Sequence, residues 1–167
     1  MKEKLTPKDI EKIQAEIDHR KLVLRPQILD AVREARAQGD LSENFEYYAA
    51  KRENGTNNSR IRYLERVLKN AVIVEDHTTS DEIGLNKTVT VYIPEDDECE
   101  TYKIVTSIRG NSMKNLISIE SPLGKALLRH HVGDKVIIPV SSDYSYEVEI
   151  REIKDTSDEE DDNIRAF

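Results

Sequence analysis

The segment EARAQGDLSENFEYYAAKR, residues 34–52, decides the fold of the first half of the chain. On both sides of it apolar residues recur every three or four positions, which is the spacing of one helix face. Gly39 suits the position just after a helix, and Asp40 or Ser42 can cap the helix that follows. Two long helices joined by so short a turn must fold back antiparallel. The sequence therefore predicts a long helical hairpin that projects, with this turn at its free tip.

Each predicted helix has one weak point. The first is expected over residues 7–38, with Thr6 as N-cap, and Pro26 should bend it by removing a backbone hydrogen bond. The second is expected over residues 43–70. Residues 55–59, GTNNS, are weak helix formers and predict a soft spot, and the apolar seam fades toward this segment and the turn.

After residue 75 the pattern changes to short β-prone runs separated by turn residues. The predicted strands are 71–74, 88–93, 101–106, 116–119, 136–140 and 146–153. Ser121 and Pro122 open a short helix that should end near His130. The predicted fold class is thus α+β: an antiparallel α-helical hairpin, or coiled coil, over 1–75, a small α+β domain over 76–154, and a disordered acidic tail over 155–167.

Composition excludes several classes of protein. Cys99 is the one cysteine among 167 residues, so a disulfide framework and a cysteine zinc site are excluded. The absence of any long apolar run or leader-like N-terminus predicts a cytoplasmic protein without a membrane span. The net charge of −8 divides into +2 for residues 1–75 and −10 for 76–167. Contact with nucleic acid must therefore be local and confined to the first half.

Asp40 and Glu43 place two carboxylates three positions apart in the turn. Spacing alone favours an ordinary helix start with acids in its first turn. The location suggests a sharper alternative, because exposed carboxylates are poor general acids but competent ligands for Mg²⁺ shared with a partner's phosphates.

These residues carry a resemblance to a known family. The chain resembles the Gre family of bacterial transcript cleavage factors, GreA type, from about Thr6 to Ile153. The matching segments are RP at 25–26, EAR at 34–36, GDLSEN at 39–44, EY at 46–47, AA at 49–50, RI at 60–61, LE at 64–65, KNLIS at 114–118 and SPLGKAL at 121–127.

The resemblance implies a fold and a function. An FKBP-like C-terminal domain would bind bacterial RNA polymerase at the rim of its secondary channel, while the coiled-coil finger enters the channel. When polymerase has backtracked, Asp40 and Glu43 would stimulate the polymerase's own cleavage of the nascent RNA 3′ end. They would help hold a Mg²⁺ shared with the polymerase active site. The protein would be a monomeric accessory factor, not an enzyme, with no stably bound cofactor.

Smaller roles follow for the neighbours of the two acids. Ser42, Asn44 and Tyr47 are expected to support the tip, Ser42 as a cap. Tyr47 can pack across the hairpin or stack on an RNA base. Phe45 departs from the family's small residue, and it can brace the turn or touch the channel wall.

Four cations lie just before and just after the turn: Arg33, Arg36, Lys51 and Arg52. An antiparallel hairpin can bring them together as one patch. The ordinary interpretation of such a cluster is a solvated face. The resemblance implies that the patch attracts the extruded RNA backbone.

Three other functions stay open on the sequence alone. A Gre-like channel binder could inhibit polymerase without promoting cleavage, although both acids are present. The second domain could be a prolyl isomerase, but it has few aromatic residues for such a pocket. A plain coiled-coil adaptor would need an apolar seam to the tip. The histidines show no metal-ligand spacing, and His130 and His131 are expected to cap helix carbonyls.

Overall fold

The computed structural model describes residues 2–38, 44–156 and 164–165. The chain divides into two compact units. One is built on Asp9–Ala71, and the other on Lys4–Lys8 and the chain from Val72 onward. Within the described ranges, no helix combines the length and apolar character needed to span a membrane.

The first unit is a pair of antiparallel helical segments, which we call the helical pair. Its first segment contains helix α1 (Pro7–His19), a π-helical turn (Arg20–Leu24) and helix α2 (Arg25–Arg36). Its second segment is helix α3 (Phe45–Lys69). The segments run in opposite directions, since Arg20 meets Asn57 while Arg36 meets Tyr47. Both helices therefore occupy the predicted regions, and α1 begins at the predicted Pro7.

Apolar side chains are buried at both ends of the helical pair. One end contains the isoleucines and leucine of α1 and α3, and the other contains small and aromatic side chains. The buried residues are Ile13, Ile17, Ile61, Leu64 and Val67 at the first end, and Ile28, Ala35, Tyr47 and Ala50 toward the second. Toward the turn the seam continues with alanines and a tyrosine ring, whereas near residues 55–59 it fades as predicted, since Asn57 and Arg60 are the buried side chains there.

The middle of the helical pair is polar. The Arg60 guanidinium, 7% exposed, donates to both carboxylate oxygens of Glu16 at 3.1 and 3.2 Å. Asn57 is also buried, accepts from Arg20 Nη1 at 2.9 Å and donates to the Arg20 carbonyl at 3.2 Å. Because each of these contacts joins the two segments, the polar middle sets their register.

α3 is continuous from Phe45 to Lys69 and runs through the predicted soft spot at residues 55–59. Asn57 and Asn58 are weak helix formers in isolation. Here Asn58 Oδ1 accepts two hydrogen bonds from Arg25, at 3.1 and 3.2 Å, in addition to the Asn57 contacts. Tertiary hydrogen bonds therefore compensate for low propensity.

The interruption expected at Pro26 takes the form of a π-helical turn. The Arg25 N–H donates to the carbonyl of Arg20, five residues earlier, and Pro26 is the second residue of α2. Since proline has no N–H, the regular four-residue ladder is broken at this point. The sequence thus predicted where the first helix becomes irregular, but it predicted a bend where the structure has a π-helical turn.

The second unit contains a five-stranded sheet. Its strands are β3 (Lys87–Ile93), β4 (Glu98–Val105), β5 (Leu116–Ser118), β6 (Lys135–Pro139) and β7 (Ser145–Asp155). Their order in the sheet is β5-β4-β3-β7-β6. β4 and β5 are parallel, and the other neighbours are antiparallel. Strands β1, Glu3–Leu5, and β2, Ala71–Ile73, form a separate two-stranded sheet, of which β1 was not predicted.

One apolar core lies on the sheet of the second unit. β3 alternates between buried and half-buried positions along its length, as expected of a strand with one face in a core. The core contains Ile83, Val89, Val91, Ile93, Ile104, Leu127, Val136, Ile138, Val148 and Ile150. The α+β character predicted for this half is confirmed.

Helix α4, Pro122–Leu127, is shorter than predicted. Ser121 caps it as expected, its hydroxyl accepting from the Gly124 N–H at 3.0 Å. The helix ends before His130, and Arg129 adopts a φ of 67°, which a continuing right-handed helix cannot accommodate. His130 was expected to cap helix carbonyls, but its Nδ1 lies 3.2 Å from the Asp134 carboxylate.

Four residues of the tail predicted to be disordered, 155, 156, 164 and 165, are among the described residues. β7 continues to Asp155, and the Thr156 hydroxyl donates to the Asn86 carbonyl at 2.8 Å. Further on, the Arg165 N–H donates to the Ile108 carbonyl at 2.7 Å. Residues 157–163 lie outside the described residues.

Candidate functional site

Asn44 fixes the described end of the turn between the two segments. Its Oδ1 accepts from the Tyr47 N–H at 3.0 Å, and its Nδ2 donates to the Ala35 carbonyl at 2.6 Å. Asn44 is thus the N-cap of α3, in place of the predicted Asp40 or Ser42. The same side chain joins the start of α3 to the end of α2.

The two acids predicted to carry the function, Asp40 and Glu43, lie outside the described residues, as does Ser42. They belong to the five residues that connect Gln38 to Asn44. The Ala35 carbonyl accepts from both the Gln38 N–H and the Asn44 amide, at 3.3 and 2.6 Å. Both ends of the segment that carries the acids are therefore hydrogen-bonded to one carbonyl group.

Tyr47 packs across the helical pair just beyond the turn. Its side chain is buried, and its hydroxyl accepts from Arg36 Nη2 at 3.3 Å. The Arg36 guanidinium carbon and Lys51 Nζ lie 5.6 and 5.9 Å from the ring centroid, and the Tyr48 ring meets it edge-on at 5.4 Å. These contacts fit the packing interpretation of Tyr47 and leave little of its ring available to a base.

The cations around Tyr47 change its acidity. The hydrogen bond from Arg36, assisted by the charges of Lys51 and Arg36, holds the pKa of the Tyr47 hydroxyl below its ordinary value. Burial opposes this effect. Arg36 and Lys51 therefore stabilise the negatively charged form of the Tyr47 hydroxyl, as cations on a surface that attracts anions would.

The structure brings together two of the four predicted cations. Arg36 and Lys51 share the Tyr47 ring, and Arg52 is exposed at the next position of α3. Arg33 forms an exposed ion pair with Asp30 at 3.2 Å, so part of its charge is neutralised. The resulting patch is smaller than predicted and centres on Tyr47.

Phe45, the first residue of α3, is 85% exposed. At this exposure its ring does not brace the turn against the described residues. Contact with another molecule therefore stays a prediction that this exposure favours. The N-cap role of Asn44 could have been predicted from the sequence, because asparagine is among the strongest N-cap residues.

A groove of about 670 Å³ lies in the second unit. Its lining includes Ser121, Pro122 and Leu123 of the 121–127 segment, together with Ile138 and Tyr146. Tyr146 is the only aromatic residue among the described residues that line it. A groove with one aromatic side chain is a poor match for the apolar, aromatic pocket that an isomerase needs.

Both halves of the chain match sequence models of one family. Residues 3–73 match the model described as transcription elongation factor, N-terminal, and residues 78–155 match transcription elongation factor, GreA/GreB, C-term. The chain belongs to the GreA/GreB family. The resemblance predicted from the turn motif is therefore confirmed.

Several named GreA/GreB proteins are similar to this chain over nearly their whole length. Transcription elongation factor GreA of Macrococcus caseolyticus is 40% identical over 149 residues, covering 89% of this chain and 94% of the relative. GreA of Staphylococcus epidermidis RP62A is 39% identical over 151 residues, with 90% and 95% covered.

Solved structures of family members also match. GreA factor homolog 1 (Gfh1) of Thermus thermophilus is 27% identical, with 92% of this chain and 99% of that chain covered and a TM-score of 0.43. GreA/GreB of Nitrosomonas europaea is 25% identical, with 56% and 78% covered and a TM-score of 0.41.

Proposed function

We propose that this GreA/GreB-family protein stimulates the cleavage of backtracked nascent RNA by bacterial RNA polymerase. The protein is an accessory factor, and the polymerase supplies the active site. The observation that supports the proposal is that Asp40 and Glu43 belong to a five-residue segment flanked by Gln38 and Asn44, both of which donate to the Ala35 carbonyl. These two bonds fix the points between which the acids must lie.

The helical pair acts as a coiled-coil finger that enters the secondary channel of polymerase. Asp40 and Glu43 then complete the shell of a weakly held Mg²⁺ shared with the polymerase and orient the attacking water. Two metal ions can stabilise the attacking and leaving oxygens of a displacement at phosphorus. Because hydrated carboxylates suit Mg²⁺ only when other ligands are supplied, Asp40 and Glu43 alone would not hold a stable Mg²⁺.

The cation patch guides the RNA. Arg36, Lys51 and Arg52 lie on the segments adjoining the acids and attract the phosphates of the extruded 3′ end. Phe45, the first residue of α3, offers an exposed ring to the channel wall. Arg33 contributes less because Asp30 is its partner.

The second unit acts as the FKBP-like docking domain. Its groove, lined in part by Pro122, Leu123 and Ile138, offers an apolar surface to the rim of the channel. The protein works as a monomer in the bacterial cytoplasm. The inhibitory alternative is not adopted, because an inhibitor has no need of both acids.

The test is a backtracked polymerase complex with labelled RNA and Mg²⁺. Wild-type protein should accelerate release of short 3′ fragments, and Asp40→Asn or Glu43→Gln should reduce the rate about 100-fold or more while polymerase binding is retained. Glu53→Gln, an exposed acid further along α3, is the matched control and should behave as wild type. Binding without acceleration by the wild type would establish the inhibitory alternative instead.

A further inference from the structure

Three metal-ligating side chains converge in the second unit. Asp81 and Glu82 lie in the segment before β3, and His131 lies in the turn between α4 and β6. One ligand atom from each lies within 4.8 Å of the other two. Asp81 and His131 are exposed and Glu82 is half-buried, so the cluster is open to solvent.

The backbone holds the two ligating segments together. Glu82 and His131 are partners in an antiparallel bridge. On either side of this bridge the Ile83 N–H donates to the His130 carbonyl at 2.9 Å, and the Arg129 N–H donates to the Ile83 carbonyl at 2.8 Å. Ile83 is fully buried, which anchors the bridge in the core. A site supported in this way is preorganised although its side chains are exposed.

The two ring nitrogens of His131 lie near different carboxylates. Nε2 lies 4.0 Å from Asp81 Oδ2, and Nδ1 lies 3.8 Å from Asp134 Oδ2, beyond hydrogen-bond distance. Asp134 Oδ2 accepts from the His131 N–H at 2.9 Å and lies 3.2 Å from His130 Nδ1. Ligating histidines in proteins commonly direct the second ring nitrogen at a carboxylate. Asp134 is placed to take this part once Nε2 binds a metal ion beside Asp81.

The two carboxylates share the Thr79 hydroxyl, and Asp81 also accepts from its own backbone N–H. The Thr79 hydroxyl contacts Asp81 Oδ1 and lies 2.9 Å from Glu82 Oε1. A hydroxyl has one proton, so it can donate to only one of them. Lys87 adds a positive charge nearby, but its ammonium donates to the carbonyls of Thr79 and Glu82, at 2.5 and 2.9 Å. Lys87 thus braces the segment and leaves carboxylate oxygens for a cation.

We propose that Asp81, Glu82 and His131 bind a divalent transition-metal ion of the Zn²⁺ type. A zinc ion at about 2.1 Å from each ligand requires the three atoms to approach one another by about 1 Å, which exposed side chains can do. The fourth position is left to water. The nitrogen ligand favours Zn²⁺ over Mg²⁺ and Ca²⁺, which take oxygen ligands. A bound ion would join the segment before β3 to the turn after α4.

The experiment uses the full chain labelled with ¹⁵N-histidine and titrated with Zn²⁺ alone. The expected result is a shift of the His131 Nε2 resonance that saturates at one equivalent, while His19 and His77 stay unchanged. The melting temperature should rise with Zn²⁺. A first shift at His19 or His77, or no histidine shift at stoichiometric Zn²⁺, would overturn the proposal.

Variants separate this site from other acidic parts of the chain. His131→Gln should abolish the resonance shift and the thermal effect, and Asp81→Asn or Glu82→Gln should weaken zinc binding about tenfold or more. Asp134→Asn should also weaken it about tenfold, through the orientation of His131. His77→Gln is the matched control and should bind as wild type. Equal affinity in wild type and His131→Gln would show that zinc binds elsewhere and would overturn the assignment.

Discussion

At the scale of single residues, Asn44 has the most consequential contacts in the described part of the helical pair. Asn44→Ala removes both the bond to the Tyr47 N–H and the bond to the Ala35 carbonyl. We expect a loss of about 1–2 kcal/mol in the free energy of unfolding, as for other N-caps. Thermal or denaturant unfolding followed by circular dichroism measures it.

Asn44→Asp is the informative companion variant, since aspartate keeps the acceptor and loses the amide donor. Helix capping should survive, so stability should fall less than with alanine. RNA cleavage should fall as much as with alanine, because the Ala35 bond anchors the segment that holds the acids. Full cleavage activity in Asn44→Asp would contradict this positioning role.

Tyr47 should lose its proton at lower pH than the tyrosines whose pKa values are raised. Arg36 lowers the pKa of Tyr47, whereas the pKa values of four others are raised: Tyr92, Tyr102, Tyr144 and Tyr146. A lowered pKa of an acid favours the folded state above the unfolded-state pKa of about 10, and this contribution disappears as pH falls through the folded-state value. Tyr47 titration therefore adds no stability at neutral pH.

Absorbance at 295 nm measures the tyrosine titration. Arg36→Gln should move the Tyr47 step to higher pH, and Tyr47→Phe should remove it. Arg33→Gln, which alters an arginine paired with Asp30, is the control and should leave the step in place. An unchanged Tyr47 step in Arg36→Gln would show that the hydrogen bond to Tyr47 does not govern its acidity.

At the scale of elements, two glycines in helices should respond oppositely to alanine. A Cβ at Gly55 of α3 would meet nothing within 4 Å, so Gly55→Ala should stabilise the protein by about 0.5–1 kcal/mol. A Cβ at Gly124 of α4 would lie 2.0 Å from the Ser118 carbonyl oxygen, so Gly124→Ala should destabilise it by about 1–3 kcal/mol. Melting temperatures test the pair, and a stabilising Gly124→Ala would contradict the described packing of α4.

Elements were predictable where their signals are local. The start of α1 follows from Thr6 and Pro7, and most strands follow from short β-branched runs bounded by turns. The helix over 43–70 was predicted, but the hydrogen bonds that support its weak segment were not, because they join Asn57 and Asn58 to arginines more than thirty positions earlier. The three-residue β1 carries no periodic pattern to detect.

At the scale of the whole molecule, the net charge of −8 opposes general binding to nucleic acid. Non-specific affinity comes from many cations that displace counterions, and this chain offers a patch of a few. We expect no measurable binding of single-stranded RNA by the isolated protein at 150 mM salt, by fluorescence anisotropy. Micromolar binding under those conditions would contradict the view that RNA is held mainly by polymerase.

The candidate site was only partly accessible from sequence. The family and the two acids were visible because the turn motif is contiguous, residues 39–47. The grouping of Arg36 and Lys51 on the Tyr47 ring needed the register of two helices. The cluster at Asp81 and His131 was not predicted at all, since its members lie 50 positions apart and a β-bridge brings them together.

The ion pair of Glu16 and Arg60 has a mechanical consequence for the helical pair. If α3 slid along its neighbour by one turn, the buried Arg60 would lose its half-buried counterion Glu16, at a cost of about 1.5–3 kcal/mol. Apolar contacts alone would tolerate such a slip far more readily. The ion pair therefore helps to fix the axial register of the two segments, which the hydrogen bond between Asn44 and the Ala35 carbonyl requires.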